Sequence, residues 1–148
     1  MPGDKRLPFE TTLLVRDTCL CLHVQRAARS LARRYDEALK PSGITNGQFS
    51  LMMALNRPEP PLMRQVAELL SMDRTTLTAA LKPLERRGLV ASAADPADRR
   101  GRRLVLTDLG IEVLADALPA WTAMQEEVGR ELGEGGADGL RAGLVAVG

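Results

Sequence analysis

Residues 62–107, LMRQVAELLSMDRTTLTAALKPLERRGLVASAADPADRRGRRLVLT, decide how this chain folds. Val66, Ala67 and Leu70 share the inner side of a short helix over 62–70, as helical spacing requires. Ser71 and Met72 make a turn. Asp73 is an N-cap whose carboxylate also suits the positive end of a helix dipole. Leu77, Leu81 and Leu84 then recur at i, i+4 and i+7 and mark the buried side of a second helix, 73–87. Thr75, Thr78, Ala79 and Lys82 fall on its opposite side. Pro83 deletes the backbone hydrogen bond to Ala79 and predicts a bend, and Gly88 stops the helix. Two strands follow, 89–93 and 102–106, with the turn residues Asp95, Pro96 and Gly101 between them. The tip of this hairpin holds Arg99, Arg100, Arg102 and Arg103.

Two helices around a tight turn, followed by a hairpin over 89–106, make a winged helix-turn-helix, here spanning 45–107. The flanks read as helices. The spacing of Leu20, Val24, Ala27, Leu31, Tyr35 and Ala38 predicts one long helix over 12–39, ended by Pro41 and Gly43. Residues 1–10 read as a loose arm. A well-buried helix with Phe49, Met52, Met53 and Leu55 starts at Thr45 or Asn46. Pro58, Pro60 and Pro61 stiffen the connection to residue 62. After a Thr107/Asp108 cap, Ile111, Leu114, Leu118, Trp121, Val128 and Leu132 predict a last long helix, kinked at Pro119. Glycines 133, 135, 136 and 139 interrupt it before a short helix over 140–147. The fold class is therefore mainly α with a small β-hairpin wing, plus an α-helical region from the two ends, 12–40 and 108–148.

The chain has 148 residues, 45% hydrophobic and 26% charged, which suits a single domain with its own core. Aromatics are 3%, so leucine, alanine and valine build that core. The net charge of +1 conceals a split. Residues 1–103 carry 18 Lys/Arg against 11 Asp/Glu, and 104–148 carry 2 against 8. A basic front and an acidic tail mean that one part meets a polyanion and the other does not. No run approaches the roughly 20 apolar residues of a membrane span. The N-terminus lacks the apolar core of a signal peptide, so a cytoplasmic protein with no membrane partner is expected.

A helix that reads DNA enters the major groove with adaptable polar side chains near its N-terminus. Arg74, Thr75, Thr76 and Thr78 meet that need. Their hydroxyls bond phosphates or base edges, their methyls touch thymine methyls, and Arg74 reaches a phosphate or grips a guanine. Lys82 is a backbone contact further along. Arg99, Arg100 and Arg102 repel one another unless phosphates or carboxylates are near, and a narrow minor groove supplies the negative potential they need. Asp95 and Asp98 are their local partners in the alternative of a solvated tip.

These residues carry a resemblance to the MarR (multiple antibiotic resistance regulator) family. Ile44-Thr45-Asn46-Gly47-Gln48-Phe49 resembles its second-helix opening. Val66-Ala67-Glu68-Leu69-Leu70, then residues 73–78, then Leu84-Glu85-Arg86-Arg87-Gly88-Leu89-Val90, resemble its helix-turn-helix. Asp95-Pro96-Ala97-Asp98-Arg99-Arg100, followed by Leu106-Thr107 and Gly110, resembles its wing and fifth helix. The resemblance implies a homodimer intertwined through its first and last helices. It implies binding to palindromic double-stranded DNA operators, usually as a repressor, and release by a small anionic or phenolic ligand. It also implies that Asp73 pairs with Arg100 to hold the wing against the recognition helix.

Cys19 and Cys21 lie two positions apart on one helix and so point to nearly opposite sides; both are expected to be small buried hydrophobes. The resemblance offers another role. In the family's organic-hydroperoxide-sensing branch the reactive cysteine sits at the place of Cys21, with a hydroxyl partner at Tyr35. A second partner position is occupied here by Gln25. His23 shares a helix face with Cys19, but no cluster of three or four metal ligands forms around it. Trp121 is expected to pack in the dimer region. No phosphate-cradling glycine loop or catalytic serine, cysteine, histidine and acid constellation appears, so neither an enzyme nor a cofactor protein is expected. A thiol-based peroxide sensor acting through Cys21, and a winged helix used for protein docking, remain as alternatives.

Overall fold

The computed structural model describes residues 6–148. Part of the N-terminal arm, residues 1–5, lies outside the described residues. The elements run α1 (Phe9–Thr18), α2 (Leu20–Leu39), a single 3-10 turn (Lys40–Ser42), α3 (Asn46–Leu55), α4 (Met63–Leu69), α5 (Arg74–Arg86), β1 (Val90–Asp95), β2 (Asp98–Leu106), α6 (Asp108–Leu132) and α7 (Gly136–Val147). The chain divides into two units, one ending at Arg34 and one running from Tyr35 to Gly148.

In the first unit the expected single helix is two. Helix α1 begins at Phe9, earlier than the spacing predicts, and ends at Thr18, whose hydroxyl donates to the Leu14 carbonyl at 2.7 Å. Cys19 then leaves the helix, with ψ near 110°. Its thiol accepts the Leu22 backbone N–H at 3.5 Å and so stands at the head of α2 as a cap. No residue of α1 is buried, and Leu20 and Val24 are exposed.

The second unit holds the core. Leu39, Ile44, Phe49, Leu51, Met52, Val66, Leu77, Leu81, Leu84, Leu89, Leu104 and Leu114 pack into one cluster. Thr45 caps α3 in a reciprocal box with Gln48, and five of its ten residues are buried. Burial of Leu77, Leu81 and Leu84 seats α5, each contributing about 1.5–3 kcal/mol. Pro83 lies inside α5 and the helix continues to Arg86. Gly88 then turns the chain at φ +71°, a conformation that costs glycine least. Helix α6 runs unbroken past Pro119 to Leu132. Gly133 and Gly135, with φ of +79° and +70°, make the turn into α7, which starts at Gly136 and not at residue 140. Four glycines read as breakers, yet only the two with positive φ break the helix.

Trp121 stacks on Phe49, with ring centroids 5.7 Å apart and planes 15° from parallel. It is therefore a neighbour of the winged-helix core. No helix among the described residues is long and apolar enough to cross a membrane.

Candidate nucleic-acid interface

Helix α5 divides cleanly. Its leucines face the core, and Arg74, Thr75, Thr76, Thr78 and Lys82 are all exposed. The Asp73 carboxylate accepts the Thr76 backbone N–H at 2.7 Å and caps the helix. The Thr76 N–H, then the Thr76 hydroxyl, hold the Asp73 carboxyl below its ordinary value of 3.8. This arrangement sorts the three threonines. The Thr76 hydroxyl serves Asp73, and the Thr78 hydroxyl donates to the Arg74 carbonyl at 2.8 Å. The Thr75 hydroxyl alone of the three has no partner among the described residues.

The hairpin differs from its expected form. Strand β1 extends to Asp95 and β2 begins at Asp98, so the tip is only Pro96-Ala97. Val90 pairs with Leu106, and the register continues to Ala94 opposite Arg102. It then jumps to Asp95 opposite Asp98. Arg99, Arg100 and Gly101 are thus extra residues bulged from β2, and the four arginines belong to this strand and not to a terminal loop. Such bulges bend a strand and re-aim its side chains.

The expected Asp73–Arg100 pair does not form among the described residues. Asp73 is short and turned onto its own helix. The Arg100 backbone N–H donates to Asp98 Oδ1 at 2.9 Å, and its side chain joins Arg64, Arg74 and Arg102 around a groove of about 440 Å³ that Asp95, Asp98 and Glu68 also line. The wing is held instead through Asp95 and Arg103, whose Nε donates to Asp95 Oδ1 at 3.2 Å. Arg103 Nη1 also donates to the Pro60 carbonyl at 2.6 Å. The Leu104 N–H donates to the Pro61 carbonyl, and Leu62 bridges to Arg103, so the segment before α4 lies beside β2. The Asp95 carboxyl is held below 3.8, chiefly by the Ala97 N–H and then by Arg103, against an opposing effect of burial.

A second groove, about 350 Å³, brings Arg74, Thr78 and Lys82 of α5 beside Ser92 and Arg102 of the wing. One continuous exposed surface thus gathers Arg74, Thr78, Lys82, Arg100 and Arg102. Arg99 is exposed but lines neither groove. Sequence reasoning missed Arg64 and Ser92. Arg64 lies off the apolar side of its helix, a weak signal that only the position of the wing makes meaningful.

Cys19 is half-buried and Cys21 exposed, which corrects the expectation that both are buried. The Gln25 amide donates to the Cys21 thiol at 3.4 Å. The Tyr35 hydroxyl donates to Gln125 Oε1 at 2.6 Å. His23 is exposed, and its Nδ1 lies 2.8 Å from the Cys19 carbonyl, so that nitrogen carries the proton. No group of three metal-binding side chains occurs among the described residues.

The profile of the MarR family matches residues 42–101. The transcriptional regulator HosA of Escherichia coli O111:H- is 38% identical over 94 residues, covering 62% of this chain and 68% of HosA. The regulator MosR of Mycobacterium tuberculosis, solved in complex with DNA, superposes with a TM-score of 0.79 at 36% identity, over 88% of this chain and 93% of MosR. The repressor CouR, solved on a 23-mer DNA duplex, superposes with a TM-score of 0.81 at 28% identity, over 90% and 94% of the two chains. CouR from Rhodococcus jostii RHA1 has also been solved with p-coumaroyl-CoA.

Proposed function

The chain belongs to the MarR family, and from that premise we propose that it is a homodimeric transcriptional regulator that binds double-stranded DNA. It acts as a repressor at palindromic operators in the cytoplasm and is released by a small anionic or phenolic ligand. The observation that carries this reading is the exposed polar face of α5, continuous with the wing arginines. Arg74, Arg99, Arg100, Arg102 and Lys82 neutralise phosphates or enter the minor groove, and Thr75, assisted by Thr76 and Thr78, reads base edges. MosR and CouR, both solved on DNA, support the same use of this fold.

The dimer forms through the terminal helices, residues 12–40 and 108–148, and leaves 45–107 to the DNA. Two copies related by a two-fold axis present their recognition helices about one DNA turn, roughly 10 base pairs, apart. The acidic charge of residues 104–148 sits in the part that does not meet phosphate. CouR's p-coumaroyl-CoA supports a small-molecule release step.

Thr75→Ala tests the assignment. It should reduce operator affinity about tenfold and random-duplex affinity far less, measured by fluorescence anisotropy on both DNAs. An equal loss on both would remove Thr75 from base readout.

A further inference from the structure

We propose that Arg103 is a positioning residue of the wing, which with Asp95 and Gly101 fixes the direction in which Arg99 and Arg100 leave β2. The proposal rests on the reading that the wing meets DNA. Among the arginines at 99, 100, 102 and 103, only Arg103 is not exposed, with 32% of its side chain accessible. Its guanidinium is engaged on two sides, by the Asp95 carboxylate and by the Pro60 carbonyl. A cation held in this way has little left to offer a phosphate.

What Arg103 holds is the centre of the bulge. Asp95 is 7% exposed, and its Oδ1 accepts both the Ala97 N–H and Arg103 Nε. The three-residue bulge passes directly over it. A Cβ at Gly101 would stand 3.1 Å from Asp95 Cβ and 3.3 Å from Oδ2, so the close approach is possible because residue 101 has no side chain. The carboxylate thus acts as the post around which Arg99, Arg100 and Gly101 wrap. Arg103 ties that post to the Pro60–Pro61 segment ahead of α4. Three inserted residues would otherwise sample many conformations, and ordering them on DNA would cost affinity.

The experiment compares Arg103→Lys, Arg103→Ala, Gly101→Ala and the double variant Arg99→Ala/Arg100→Ala in operator binding across salt concentration, with thermal unfolding of each free protein. Lysine keeps the charge and substitutes for arginine at a simple phosphate contact, but it cannot span Asp95 and Pro60 together. The expected result is that Arg103→Lys behaves like Arg103→Ala. Both lose about tenfold in affinity, and the slope of log affinity on log salt falls by about two for the two wings of a dimer. Gly101→Ala loses affinity in the same way without touching any charge. Wild-type affinity and slope in Arg103→Lys, with the Arg99/Arg100 variant impaired, would overturn the positioning role while leaving the wing on the DNA. Unchanged binding by the Arg99/Arg100 variant would remove the wing contact itself, and the proposal with it.

Discussion

The winged helix and the terminal helices use the same aliphatic residues to opposite ends. In α5 every leucine is buried, and α4 and β1 pack against the helix. In α1 and α7 no residue is buried at all. Leu14, Val15, Leu20 and Val24 are exposed near one end of the chain, and Leu140, Leu144, Val145 and Val147 near the other. Apolar surface on this scale marks an interaction site in a protein otherwise able to build a core. The winged helix thus completes its core within one chain, and the exposed apolar faces of α1 and α7 are the ground on which a second copy of the chain is proposed to cover them.

Leu84 has no exposed surface, so Leu84→Ala should cost about 2–5 kcal/mol and lower the denaturant midpoint accordingly. A smaller loss would mean that the winged helix is not self-sufficient. The next test is Leu140→Asp/Leu144→Asp, which places charge on one face of α7. Sedimentation should show dimers giving way to monomers, with operator affinity falling about a hundredfold as two tethered contacts become one. Dimers that survive the change would remove α7 from the interface.

The smallest effect sharpens the winged-helix side through acid. The Asp73 and Asp95 carboxyls titrate below their ordinary value of 3.8 in the folded protein. A carboxyl held low in the folded state stabilises it when ionised. That contribution is complete at pH values well above 3.8 and is lost as the pH falls through the folded-state value. The difference in unfolding temperature between wild type and Asp95→Asn should therefore be flat from neutral pH to about 5 and shrink at lower pH. A constant difference throughout would place the Asn effect in packing rather than charge.

Much of the fold was legible because periodicity and caps agree across residues 45–107. Leu77, Leu81 and Leu84 announce their face, Asp73 announces the helix start, and Thr45 or Asn46 announces α3. The extent of the wing was not legible, because a three-residue bulge leaves no mark in an alternation pattern. For the same reason Arg103 read as one more tip arginine, and only strand register separates it from Arg102. The break at Cys19 escaped because a thiol is not an expected cap. The start of α7 was misplaced because glycine content does not say which glycines take positive φ. In the proposed DNA-facing set the exposed positions were readable from the helix face. The division of labour among Thr75, Thr76 and Thr78 required the hydrogen bonds. The Asp73–Arg100 pair, drawn from resemblance alone, gave way to Asp95 and Arg103.

The most direct test of the account is binding of the purified protein to the DNA flanking its own coding sequence and to a random duplex of equal length, each at several salt concentrations. Binding to the flanking DNA should be tight and steeply salt-dependent, at two chains per site, and binding to the random duplex weak. Equal, weak binding to both would contradict the proposed function and leave the α5 and wing surface as a basic face without a sequence to read.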